Sequence, residues 1–521
     1  MFENVSLVIW LAASAGGIII LRSAVNRLYE ELRIWRLGGH ARKIWPWNPF
    51  GLYFTYAITS HALRDENLKF MHNCCQSDTQ ANSRQSNTFE WRMGGERFIM
   101  TSDKENIKAI LATQFNDYGK RQKFRKGWGR LLGLGIFASD GERWHDARHR
   151  LRPLFTRQRI ADLACFERHV QNMLPMLGQG RVMDMKDLFN RLFLDITVDF
   201  TFGRRLDTLS SKNGDFFETF QRILHTQSLI ERAGPFNFAI PRKQLHNDIS
   251  IVESVLEPSI QEALAIPEDV LKNLDSKDNS LSFVQQCAAL TRDPKFLRDE
   301  MLGVLIAGRD PTANTLSWCL YELARNPAVT KELRKIIEET VGLDRKPTLE
   351  EVKGIKMVSH ILQETLRLYP VLPSNVRAAL SHTTLPRRGG AKGDSPVGVP
   401  AGTTVYYSTQ LLPFPPPDEF APSRWGAWTP EPWTYIPFNG GPRICVGQTF
   451  ALTEMVYVLV RLFQRYRSLE LVGTKPDERV GGWWRVDDEA SVVEKLVGRT
   501  VRMASEVTLS PKHPVNVRFV E

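Results

Sequence analysis

The stretch FNGGPRICVG, Phe438 to Gly447, sets a cysteine two residues ahead of a long apolar run that begins near Gly447. A thiolate at Cys445 feels the positive end of the following helix and can accept backbone N–H bonds, and both favour the ionised, metal-ligating form. Gly440, Gly441 and Gly447 permit positive φ and let the backbone lie flat against a planar group. Arg443, two residues before the cysteine, can pair with a carboxylate on such a group. The plainer alternative is a buried free cysteine in a glycine-rich turn. The pattern F-x-x-G-x-R-x-C-x-G, with five fixed positions, arises by chance on the order of once in several thousand chains of this length. A loop of this kind suits a haem.

Other spacings gain weight from their order along the chain. Glu364 and Arg367 stand one helical turn apart, and Pro422-Ser423-Arg424-Trp425 follows. Alone, Glu-x-x-Arg is uninformative, since Glu30 and Arg33 fit it too and a surface ion pair explains it. Trp144 and Arg148 put an aromatic ring and a guanidinium on one helix face. Ala307-Gly308-Arg309-Asp310-Pro311-Thr312 places a proline inside an otherwise helical pattern, where its ring displaces the carbonyl four residues earlier.

The elements that must position these groups are mainly helices. Apolar residues recur at three- and four-residue steps over Asp299 to Asn326, Pro347 to Pro370 and Gly447 to Tyr466. Short strands are expected at FIM near residue 98, TTVYYS near residue 405 and PVNVRFV at the C-terminus. The expected fold class is mostly α with small β-sheets, preceded by one N-terminal transmembrane helix.

That anchor is Val5 to Leu21, uncharged and followed by Arg22, Arg27, Arg33, Arg36, Arg42 and Lys43. About 17 residues at 1.5 Å each span roughly 25 Å, close to a bilayer core. Positive charge after the run, and no basic residue before it, favours a signal anchor over a cleaved signal peptide. The expected organisation is an anchor over 1–21, a basic linker over 22–51 that includes WPWNPFG, and one large catalytic domain over 52–521. The 521 residues are 42% hydrophobic and 24% charged, which excludes disorder as the dominant state. The balance of 68 basic to 58 acidic residues gives +10, suited to an anionic membrane or an acidic protein partner. No basic run is interleaved with aromatics as a nucleic-acid groove requires, so nucleic acid is not an expected partner. The six cysteines lack a disulfide or zinc spacing, which points to a reducing compartment.

In these motifs and their order the chain resembles the cytochromes P450 over nearly all of residues 52 to 521. The resemblance implies the cytochrome P450 fold and haem b, with Cys445 as the axial thiolate ligand. It implies that Phe438, Gly441 and Gly447 shape the haem loop, and that Trp144, Arg148, Arg377 and Arg443 bind the cofactor, chiefly at its propionates. Glu364, Arg367 and Arg424 would form the structural network, and Leu372 would line the substrate pocket. Cysteine ligation of haem favours heterolytic O–O cleavage and oxidation of unactivated C–H bonds. No flavin or nicotinamide fingerprint is present, so the implied electron donor is a separate NADPH–cytochrome P450 reductase. The implied location is the endoplasmic reticulum membrane, single-pass, with the catalytic domain in the cytosol.

Longer phrases, among them NIKAILATQFNDYGKR, LGLGIFASDGERWHDARHRLRPLF and AGRDPTA, resemble the fungal n-alkane and fatty-acid hydroxylases. That branch implies a hydrophobic aliphatic substrate oxidised at or near its terminus. Secondary-metabolite tailoring is the alternative, and a non-catalytic or degenerate haem protein remains a third class. The family usually reads A-G-x-D-T-T where this chain has Pro311, so the hydroxyl that steadies a proton-delivering water is missing. Asp310 and Thr312 are the remaining candidates for proton delivery, Thr312 lying about 100° round the helix from Pro311. Either water is positioned by another route, or the enzyme rearranges a pre-oxidised substrate without activating oxygen. Two further departures are a shortened stretch over 408–420 and an apparent insertion over 480–500.

Overall fold

Asp293 begins the helix that runs through the larger part of the molecule. Its carboxylate accepts the Lys295 N–H at 2.9 Å, Pro294 fills the first turn where no N–H is needed, and the helix runs to Arg325 in this computed structural model. The structure describes residues 2–44, 51–63, 66–76, 87–155, 163–210, 214–275, 281–390, 393–410, 419–473, 503–505 and 507–521. The WPWNPF connector, most of the shortened 408–420 stretch and the 480–500 insertion lie outside them.

The chain divides into two compact units. The larger comprises Thr55–Asn73, Lys120–Asn375 and Ser408–Glu521, and is mostly helical. Within it the Pro294–Arg325 helix buries Leu297, Met301, Leu302 and Leu305 before Ala307, and Leu316, Trp318 and Leu320 after it. Such all-round burial is what an apolar pattern without a polar stripe requires. The neighbouring Met185–Phe202 helix is capped by Asp184, which accepts the Lys186 N–H at 3.0 Å, and ends at left-handed Gly203. The two helices meet closely at Gly308, where a Cβ would lie 2.8 Å from the Thr197 hydroxyl. The expected helix over Gly447 to Tyr466 is present as Gln448–Arg465. The expected Pro347 to Pro370 helix is instead two, Leu349–Gly354 and Lys356–Leu368, because Ile355 adopts ψ 85° between them. A three-stranded sheet joins Ser468–Leu471, Asn516–Val520 and Val182–Asp184, and so contains the expected C-terminal strand.

The smaller unit comprises Met1–Phe54, Cys74–Gly119 and Val376–Tyr407. Thr88–Met93 and Glu96–Thr101 form a hairpin whose turn residues, Gly94 and Gly95, both have positive φ, as a two-residue turn demands. Thr404–Ser408 pairs parallel to the second of these strands, Phe98 opposite Thr404, so both expected strands sit side by side. Trp91 stacks on Phe54 at 5.0 Å and on Phe98 at 5.6 Å.

The Phe2–Arg36 helix joins this sheet unit at its C-terminal end. Ile34 is fully buried, Glu30 pairs with Arg92 at 2.8 Å, and His40 bridges Glu31 at 2.6 Å and Glu90 at 2.7 Å. Burial alone would raise the Glu90 carboxyl, but bonds from His40 and Arg97 outweigh it and hold its pKa at about 2. A folded-state value below the unfolded one stabilises the fold above the ordinary carboxylate range and is lost as pH falls from about 4.5 towards 2. Glu90→Gln is therefore expected to flatten the acid limb of the stability-versus-pH curve, read by urea unfolding at pH 3 to 7. An unchanged acid limb would assign that loss to other carboxylates.

Among the described residues no helix is long and apolar enough to cross a membrane. The expected anchor, 1–21, falls on the Phe2–Arg36 helix, but most of its side chains lie outside the described residues. Among the described residues, Cys74, Cys319 and Cys445 are free thiols.

Candidate active site

The Cys445 loop is folded by its own backbone. Cys445 N–H donates to the Phe438 carbonyl at 3.0 Å, and Gly441–Arg443 makes a single 3-10 turn between them. The glycines act differently from one another and, in part, from the sequence reading. Gly441 has φ +64° as expected, but Gly447, at φ −90°, and Gly440, at φ −152°, do not need positive φ. Gly440 is required for space, since a Cβ there would stand 2.6 Å from the Trp433 ring. Gly440→Ala is expected to cost about 1–3 kcal/mol through this overlap, seen as a lowered thermal midpoint. An unchanged midpoint would mean that Trp433 moves aside freely.

Cys445 opens onto a cavity of about 750 Å³, whose lining includes Trp144, Arg148, Arg152, Phe155, Gly441 and Val446. That volume falls within the usual range for small-molecule and cofactor sites. Burial pushes the Cys445 thiol up, while the Gly447 N–H and the Arg148 charge pull it back towards the thiolate. Arg148 donates to the Ile444 carbonyl at 3.0 Å and lies 5.7 Å from the Trp144 ring, so the expected aromatic–guanidinium pair forms beside the cysteine. Arg443 is held by Asp140 at 2.9 Å and by the Ser139 carbonyl at 2.9 Å, and stacks 4.5 Å from the other partner of that pair, Trp144. Asp140 also accepts the Lys120 and Arg121 N–H groups, and so ties three segments together. Sequence reasoning missed Asp140 and the cavity-lining Arg152, although Arg148 and Arg152 share one helical spacing.

The Glu364 network is assembled as expected and extends further. Glu364, fully buried, takes a bidentate pair from Arg367 at 2.9 and 2.8 Å and a bond from Arg424 Nε at 2.9 Å. Trp425 Nε1 and Ala421 N–H each add a bond at 2.9 Å; Trp425 was singled out in its motif without a role in the network, and Ala421 was missed. Burial alone would raise the Glu364 carboxyl, but Arg367, the Ala421 N–H and Arg424 hold it below the ordinary range.

On the Pro294–Arg325 helix, Ala307 is exposed and Asp310 and Pro311 are half-buried, whereas Thr312 is only 2% exposed. The helix is continuous through Pro311 rather than broken, and Thr315 donates its hydroxyl to the Pro311 carbonyl at 2.7 Å. Thr312 is thus not turned to the accessible face that carries Ala307 and Pro311. Asp310 lies 3.2 Å from Arg309, whose fully buried guanidinium also donates to the Asn190 carbonyl and faces the Phe217 and Phe220 rings. Leu372 is 40% exposed. Arg377 belongs to the sheet unit, where it is buried 5.7 Å from the Tyr407 ring.

An accessible cysteine ahead of a helix, a wall of Trp144 and Phe155, and two guanidinium groups for anionic carboxylates form a donor set that fits a haem. Sequence comparison agrees: the cytochrome P450 family profile matches residues 65–483, and the chain belongs to that family. It is a cytochrome P450 monooxygenase. The chain is 37% identical to cytochrome P450 monooxygenase pvhE of Talaromyces variabilis, over 96% of this chain and 94% of that protein. It is 38% identical to cytochrome P450 monooxygenase himC of Aspergillus japonicus (82% and 78% covered) and to cytochrome P450 52A9 of Candida maltosa (74% and 78%). These fungal relatives bear out the fungal resemblance. The fold matches the crystal structure of the cytochrome P450DA heme domain with a TM-score of 0.67 at 20% identity, over 86% of this chain and 92% of that one.

Proposed function

We propose that the chain hydroxylates an aliphatic C–H bond of a fatty acid, an n-alkane or a fatty-acid-derived chain, with Cys445 as the haem ligand. The observation that carries this reading is the Cys445 thiol opening onto a cavity flanked by Trp144 and Arg148, beside its helix N-terminus. When bound there, haem supplies oxygen activation, which the thiolate promotes. One oxygen atom of O2 enters the C–H bond and the other leaves as water, with two electrons from NADPH through a separate reductase.

The protein's own groups divide the remaining work. Phe438 and Gly441 hold the loop, and Gly447 directs its N–H towards Cys445. Arg148, with Arg377 and Arg443 as further candidates, neutralises the propionates, and Leu372 contacts substrate. Asp310 holds the proton-delivering water, since Pro311 has no hydroxyl and Thr312 is buried. Residues 52–521 form the catalytic domain, 22–51 the linker and 1–21 an anchor in the endoplasmic reticulum membrane. The uncharged 5–21 run and the basic residues after it support that location.

Pro311 on the accessible helix face favours a second reading, in which a hydroperoxide or other pre-oxidised chain is rearranged without NADPH. Tailoring of a secondary metabolite would leave the chemistry unchanged and alter only the substrate. With reductase and NADPH, oxygen consumption and hydroxylated product are expected. Product from a hydroperoxide alone, with no NADPH-dependent hydroxylation, would overturn the proposal. A positioned proton donor is worth roughly 10²-fold or more. Pro311→Thr is therefore expected to raise product formed per NADPH, whereas unchanged coupling would mean that Asp310 and water already suffice. Spectral titration with fatty acids and alkanes of graded length would identify the substrate class.

A further inference from the structure

Six apolar side chains on the Phe2–Arg36 helix recur at alternating steps of three and four: Ile18, Leu21, Val25, Leu28, Leu32 and Trp35. Their exposures are 66, 66, 42, 61, 45 and 77%. This is a heptad stripe. It is not the face that joins the sheet unit, because Ile34 is buried there and Glu30 and Glu31 pair with Arg92 and His40. We propose that the stripe is the seam of a parallel, two-stranded coiled coil with a second copy of this chain.

Residue types along the stripe select that occupant. Taking Ile18, Val25 and Leu32 as positions a and Leu21, Leu28 and Trp35 as positions d puts β-branched residues at a and leucine at d over the first two repeats. That distribution favours two parallel strands. The flanking charges select the direction. In a parallel pair, Glu31 at position g faces Arg36 at position e of the second copy, an attraction. An antiparallel pair sets e against e, and Arg22 and Arg36 repel. Glu31 lies at the edge of the sheet-joining face, paired on its own chain with His40 at 2.6 Å and Arg92 at 3.3 Å, and keeps 35% of its side chain exposed on the side that a second copy would approach.

A seam this short is marginal for two chains free in solution. Holding both helices in one membrane raises their effective concentration and fixes them parallel. That step rests on the anchor proposed above, whereas the heptad geometry does not.

The test uses the full-length holoenzyme in phospholipid vesicles, with Leu28→Cys on the seam and Asn26→Cys on an exposed face away from it. Under a mild oxidant, Leu28→Cys is expected to give disulfide-linked dimer at least about tenfold above Asn26→Cys and wild type. Adding Arg36→Glu to Leu28→Cys is expected to lower that yield. Equal yields from the two cysteines would overturn the proposal. So would the absence of dimer in protein that floats with the vesicles, which would assign the stripe to lipid. Flotation reports the anchor separately: dimer without flotation would sink the anchor and keep the seam, and neither dimer nor flotation would sink both.

Discussion

Cys445→Ala is expected to abolish NADPH-dependent turnover and to remove the thiolate-type carbon-monoxide spectrum of the reduced protein. Cys74 and Cys319 are poor substitutes. Burial raises the Cys74 and Cys319 thiols to about 12, so neither is ionised near neutral pH. At Cys445 the cost of burial is opposed by the Gly447 N–H and the Arg148 charge, and the side chain is open to the cavity. Haem content measured alongside the spectrum separates loss of the ligand from loss of the fold. A Cys445→Ala protein that kept a thiolate-type spectrum would place the ligand elsewhere.

Glu364→Ala should be almost as damaging, by a different route. The carboxylate accepts from two guanidiniums, an indole N–H and a backbone N–H, and its removal leaves Arg367 buried with its countercharge gone. Breaking a buried pair on one side costs roughly 3–5 kcal/mol. The Cys445 loop needs no bond to this network to suffer, because unfolding is cooperative and a loss of that size is a large part of a domain's stability. The expected result is a lower urea midpoint with reduced haem per protein, and Glu364→Gln should fall between. The folded Glu364 carboxyl lies below its ordinary range, so its contribution is present at neutral pH and fades as pH drops through the acid range. A Glu364→Ala protein with unchanged midpoint and haem content would mean that the network adds no net stability.

What could be read from the sequence, and what could not, follows the range over which each signal acts. Cys445 ahead of its helix, the Glu364–Arg367 turn and the Trp144–Arg148 turn are local spacings, and helical geometry places such residues together. Arg424 was legible through its Pro-Ser-Arg-Trp setting. Asp140 was not, because nothing near Arg443 in the chain announces a partner on another segment. Gly440 was noticed for the wrong reason: its backbone is ordinary, and a ring from Trp433 demands the missing Cβ. Pro311 was expected to displace the carbonyl four residues earlier, and it stands inside a helix that still runs from Pro294 to Arg325. Ile355 broke a helix whose apolar periodicity ran straight through it, since periodicity reports burial and not ψ.

The Arg443–Asp140 pair also sets a clock. Its partners are 303 residues apart. At ribosomal rates of roughly 5–20 residues per second, about 15–60 s separate the synthesis of Asp140 from that of Arg443. Throughout that interval the nascent chain displays Trp144 and Arg148 without the loop that completes the pocket. Cofactor capture therefore belongs to the end of translation or later, and haem scarcity would be felt by finished chains rather than by growing ones.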